Sequence, residues 1–225
     1  VLYLNGYDFV LTDLTASGNT AAWNGGVFYI NGGNTVVTME NADLTQNTAG
    51  TGGAVYVANG TVNLNSTNLS NNNVRNDGGA IFAELGKVVL DQGTILSGNT
   101  AASDGGAIMA INGAVVDAKS IIFDNNGASG AGGAVCVQGA TLNVSGTSSF
   151  TGNAAAGNGG AVYVNDYTYK VNETDTEYAR VKATVTIDGA TFQNNQGDRG
   201  GALYVGKNAF TVTNAQFLNN SATSD

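Results

Sequence analysis

The chain has 225 residues, 42% of them hydrophobic and 11% charged, with a formal charge of −9 and a pI near 4.2. Such acidity, with nothing basic clustered, argues against nucleic acid and anionic lipid as partners, and no run is long and apolar enough for direct membrane insertion as a helix. With 33 Gly, no Pro, no His and one Cys, an internal disulfide is excluded and no cofactor or metal is expected.

The chain opens on "VLYLN" (1–5), a short apolar run that aligns with "VFYIN" (27–31) behind a glycine pair. From there one unit recurs. Glycine pairs begin at Gly25, Gly52, Gly78, Gly105, Gly132, Gly159 and Gly200, and runs such as "AVYV" (54–57), "AIFA" (80–83), "AIMA" (107–110) and "ALYV" (202–205) follow them. Next comes a brief alternating stretch, as in "TVNLN" (61–65), "KVVLD" (87–91) or "TVTID" (184–188). A third run ends in an apolar residue with Asn three positions later, at Asn19, Asn47, Asn72, Asn99, Asn126, Asn153, Asn195 and Asn220. Successive glycine pairs lie 27, 26, 27, 27, 27 and 41 residues apart. A fixed period of this size marks a tandem array, here of eight units with one insertion.

Short runs rich in Val, Ile, Phe, Tyr and Thr between Gly, Asn, Ser and Asp read as strands, and no window sustains a helical period. Roughly three strands per repeat predict one coil of a right-handed, single-stranded parallel β-helix, stacked on the last at the ~4.8 Å strand spacing. Eight coils then predict an all-β rod ~38 Å long, forming one domain over residues 1–225. In such a stack Phe123, Phe150, Phe192 and Phe217 form an internal file, continued by Leu44, Leu69 and Leu96. The repeated asparagines, Asn47, Asn72, Asn99, Asn126, Asn153, Asn195 and Asn220, form a structural ladder that bonds backbone at a bend. The glycine pair permits positive φ at the next corner, and the Ala after it lets coils pass closely. Cys136, in "AVCV", is expected to point inward as a small hydrophobe.

The long interval carries about 14 extra residues, mostly in "NDYTYKVNETDTEYARVKA" (165–183), and these read as a protruding loop or hairpin. Insertions in solenoids leave on one face, which often binds. This one holds Tyr167, Tyr169, Tyr178, Lys170, Arg180 and Lys182 beside Asp166, Glu173, Asp175 and Glu177. Tyr and Arg are enriched in interface hot spots, so Tyr167, Tyr169, Lys170, Tyr178 and Arg180 are the candidate partner-binding residues.

The paired marks, Gly-Gly-Ala followed by Val, Ile or Leu, interleaved with Phe-x-x-Asn, resemble the passenger region of chlamydial polymorphic membrane proteins from about Ala16 to Asn220. The first coil departs with "GGVF", and Leu or Ala replaces Phe in four copies. The resemblance implies an autotransporter-like surface protein: a signal peptide, a β-helical passenger and a C-terminal barrel that anchors it in the outer membrane. Neither signal nor barrel lies in this sequence, and Val1 rather than Met opens it; the chain is expected to be processed or excised from a longer one. The implied role is adhesion to a host or neighbouring cell-surface protein or glycan.

Many parallel β-helices act on polysaccharides, but this chain has no His and no Asp-Asp pair. Asp77 and Asp104 share the position before the glycines on adjacent coils and would lie ~5 Å apart when stacked. As a pair they fall short of the six to eight oxygens of a calcium site. The expectation is therefore a noncatalytic, extracellular adhesive rod. A self-assembling fibre subunit, with coils stacking end to end, is the alternative, and a polysaccharide-active enzyme the third.

Overall fold

The computed structural model describes residues 1–170, 172 and 178–224. Among these, every regular element is a strand, and the strands stack as a β-solenoid of eight coils. Sheet I holds the runs behind the glycines, from Leu2–Asn5 and Phe28–Asn31 to Leu203–Val205. Sheet II holds the alternating stretches, from Asp8–Thr12 to Ala209–Thr213, and sheet III the runs into the ladder, from Thr15–Ser17 to Gln216–Leu218. Each has eight parallel strands, one per coil.

A fourth sheet corrects the expectation of three strands per coil. Sheet IV has seven strands of two residues each, from Thr48–Ala49 to Ser221–Ala222. They exist because the ladder Asn turns the chain and the next two residues run parallel to the coils on either side. Two residues are too few to print an alternating pattern on a sequence.

Strand alternation sends every second side chain into the lumen. In sheet III that position stacks in register as Leu44, Leu69, Leu96, Phe123, Phe150, Phe192 and Phe217. The phenylalanine rings lie face to face, 4.5, 4.6 and 5.0 Å apart. Leu44, Leu69, Leu96, Phe123, Phe150 and Phe192 are fully buried, and such burial stabilises by about 1.5–3 kcal/mol per side chain, so this one file is a principal support of the stack.

Sheet I corrects the placement of Cys136. Val135 and Val137 occupy the lumen, which turns Cys136 to the outer face. There it is fully buried in a separate cluster with Tyr56, Phe82 and Met109. Burial raises its thiol well above the ordinary range, and the carboxylates of Asp104 and Asp77 push the same way. The outer file continues as stacked rings through Tyr3, Tyr29, Tyr56 and Phe82, 5.0 to 5.2 Å apart, and resumes at Tyr163 and Tyr204.

The two glycines of each pair serve different ends. The first has a φ between 61° and 72°, the left-handed region that disfavours a Cβ. The second has no such φ, but a Cβ on Gly79 would collide with the carbonyl oxygen of Gly106 one coil on, and Gly106 stands so to Gly133. Close coil passage thus belongs to the second glycine.

Candidate functional site

The repeated asparagines line the corner between sheets III and IV. Each buried ladder Asn makes the same set of bonds. The backbone N–H of Asn126 donates to Oδ1 of Asn153 at 3.0 Å, and its Nδ2 donates to the same atom at 3.0 Å. Its second Nδ2 hydrogen goes to the carbonyl of Leu96, 2.9 Å away, in the preceding coil. Asn47, Asn72, Asn99, Asn153 and Asn195 repeat this arrangement, each donating to the next member down to Asn220. With both amide hydrogens donated and Oδ1 accepting twice, these side chains have nothing left for a ligand. The residue before each one carries positive φ, as at Gln46, Asn71, Asn125, Asn194 and Asn219, which Asn tolerates.

The inserted segment forms a two-stranded antiparallel hairpin, Tyr167–Lys170 against Tyr178–Val181, at the corner between sheets I and II. Residues directly opposite share a face. Tyr167 and Tyr169 therefore lie beside Val181 and Ala179, whereas Lys170, Tyr178 and Arg180 occupy the other face with Thr168. The five candidate residues are together on one hairpin but split between its sides. Tyr167 is half-buried, with its backbone and Cβ against Gly139, where no larger residue would fit. Its ring centroid is 5.8 Å from that of Tyr169. The ammonium of Lys170 lies 5.7 Å from the Tyr178 ring centroid. Arg180 is held by the nearly buried carboxylate of Asp166, so its charge is already matched within the hairpin. Tyr169 and Tyr178 remain 40% and 60% exposed. Glu173, Asp175 and Glu177 lie outside the described residues.

The acids before the glycines act on the backbone. Asp77 Oδ1 accepts from the N–H of Asp104 at 3.0 Å, and Asp104 Oδ1 accepts from that of Ala131 at 2.7 Å. Burial raises the Asp104 carboxyl above its ordinary value; the Ala131 N–H opposes this and the charge of Asp77 adds to it. Among the described residues no group of three or more acidic or thiol side chains could hold a metal ion.

The outer aromatic file escaped the reading of sequence, although its signal was present as the third letter of "AVYV", "AIFA" and "AVCV". Tyr56 there donates to Glu84 at 3.0 Å, and burial, then the Glu84 charge, keeps its hydroxyl protonated far beyond the usual range. A second buried polar row was missed as well. Thr94 Oγ1 accepts from the N–H of Thr67, and Ser148 Oγ from that of Ile121, at the corner between sheets II and III.

With the register of sheets III, IV and I in hand, the comparison with known families is direct. Residues 93–111, 120–138 and 147–165 each match the Chlamydia polymorphic membrane protein repeat. Three coils of this chain carry that repeat. Each match runs from just before a sheet III strand, through the ladder Asn and the glycine pair, to the end of a sheet I strand. The polymorphic membrane protein repeat thus coincides with the part of the coil where the ladder Asn and both glycines lie, and it is not the signature of an enzyme family. No curated protein and no solved structure matches the chain.

Proposed function

We propose that this chain is a noncatalytic adhesive rod displayed at a cell surface, as the passenger of an autotransporter-like membrane protein, with the hairpin as its contact point for a surface protein or glycan. The observation that carries this reading is the hairpin itself. It projects Tyr169 and Tyr178 into solvent from a shaft whose neighbouring coils hold only tight corners at the same place. Exposed tyrosines of limited rotameric freedom make good contact anchors, and Lys170 stacked at Tyr178 adds a cation held in place. Arg180 supports the site by tying the hairpin base to Asp166.

The test is adhesion of beads coated with the chain to host cells, since many weak contacts acting together raise the signal above that of one. Replacing Tyr169 and Tyr178 together by Ala should lower bead retention by roughly tenfold or more, as hot-spot truncations do, with circular dichroism unchanged. Full retention would remove the hairpin as the contact point. Sedimentation of the same samples separates this from the fibre alternative, because an adhesive rod stays monodisperse and a fibre subunit polymerises.

A further inference from the structure

The corner between sheets I and II holds a residue for which the solenoid gives no reason. Leu85 follows Glu84, the last residue of a sheet I strand, in the fourth of the eight coils, with coils on both sides. Its φ is 59°, in the left-handed region where a branched side chain crowds its own backbone. Among the described residues, twelve other than glycine have positive φ, and the other eleven are Asn, Asp, Ser or Gln. At the same place the next two coils carry Asn112, with φ 53°, and Gly139, with φ 58°.

Burial does not offset this strain. Leu85 is 57% exposed, and its Cδ2 only overlies Gly113 of the next coil, where an added Cβ would be 3.9 Å away. Ile111, opposite Glu84 in that coil and partly buried on the outer face of sheet I, is a second aliphatic side chain nearby. Strain that local packing does not require is a mark of function.

The position of Leu85 gives it one. The hairpin leaves the same corner three coils on, about 14 Å along the rod at the ~4.8 Å strand spacing. Tyr167 rests its Cβ on Gly139 in the coil before its own, and the corners between carry only Asn112, Gly113 and Gly139 at this place, so the span is low. We propose that Leu85 and the hairpin bound one contact surface, and that its partner is a protein that lays an apolar side chain on Leu85. An aliphatic chain neither bonds hydroxyls nor offers a flat ring to a sugar, so this corner favours an apolar side chain over a glycan. The two hairpin strands pair only with each other among the described residues. The ribbon therefore keeps free backbone edges that an extended peptide can match. This assignment rests on the surface-adhesion reading and narrows its partner to a protein.

The test uses beads coated with the chain on host cells. Leu85→Asn puts at this φ the residue type found at Asn112, so the variant should melt at or above the parent temperature while bead retention falls about tenfold. Leu85→Met keeps an apolar side chain and should keep most of the retention. Ile122→Thr removes an aliphatic residue that is 43% exposed on sheet III and should change nothing. Should Leu85→Asn fail to fold, Leu85→Gly matches Gly139 and carries the same expectation for retention. Trypsin treatment of the cells beforehand should abolish retention, and periodate oxidation of their glycans should leave it. The proposal is overturned by full retention or a lowered melting temperature in Leu85→Asn, or by an equal loss in Ile122→Thr. Retention lost to periodate and not to trypsin overturns it too. Loss in the Tyr169 and Tyr178 double variant without loss in Leu85→Asn sinks this contact alone, whereas parent beads that do not adhere sink the adhesion reading with it.

Discussion

Asparagine suits the ladder because its amide accepts at one atom and donates twice from the other. Asn126→Ala strands the N–H of Asn99, one Nδ2 hydrogen of Asn99 and the carbonyl of Leu96 in a dry corner. Unpaired buried groups cost about 1–3 kcal/mol, so the chemical denaturation midpoint should fall accordingly; an unchanged midpoint would show that the ladder is not load-sharing. Asp104 gives a pH signature of the opposite kind. Its carboxyl is raised in the fold, by burial first, so the folded state prefers the neutral acid. The sign follows: its contribution is fully present below the ordinary Asp value, about 3.9, and is lost as pH rises through that value toward the folded one. Asp104→Asn keeps an acceptor for the Ala131 N–H and carries no charge. Melting temperatures should therefore show the variant more stable than the parent at neutral pH, with the gap closing in acid. A gap of constant size would contradict this account.

At the scale of elements, the hairpin and the coil are separable. Removing the fifteen residues 167–181 from the 41-residue interval between Gly159 and Gly200 leaves 26, the spacing already found between Gly52 and Gly78. The shortened chain should keep its β circular dichroism and melt within a few degrees of the parent, whereas collapse of the signal would mean that the hairpin props the coils. Much of this organisation was legible in the letters. The Phe and Asn rows announce themselves because stacking puts like residues over like, and the insertion shows as a broken period. Other parts were hidden for physical reasons. Thr48–Ala49 and its kin are too short to carry an alternation. Cys136 sits between two valines of similar polarity, so composition alone could not say which of the three faced the lumen. The separate duties of Gly105 and Gly106 depend on where the neighbouring coil's backbone runs, and a linear sequence does not print that.

The whole molecule is a one-dimensional object in which each coil touches only its neighbours, so stability grows as a sum of coil and interface terms. Interior coils have an interface on both sides and terminal coils on one. In the 225-residue chain, hydrogen exchange should be slowest at the backbone N–H groups of Asn99, Asn126 and Asn153, where ladder partners and neighbouring coils are buried on both sides. It should quicken toward Asn19 and Asn220, which are only partly buried. Uniform protection along the ladder would instead mark a single all-or-none unit.

The asparagine ladder also gives the rod an electrical direction. Backbone dipoles largely cancel in sheets, but along the ladder one Nδ2 hydrogen of each amide donates to Oδ1 of the next, higher-numbered Asn, from Asn19 through Asn195 to Asn220, while the other turns back to a carbonyl of the preceding coil. Aligned amides add head to tail, as peptide units do along a helix. From Asn47 to Asn195 the row is buried and keeps one sense throughout. Each coil therefore meets its two neighbours along this row with unlike groups, as Asn126 does, with an accepting Oδ1 toward one and a donating amide toward the other.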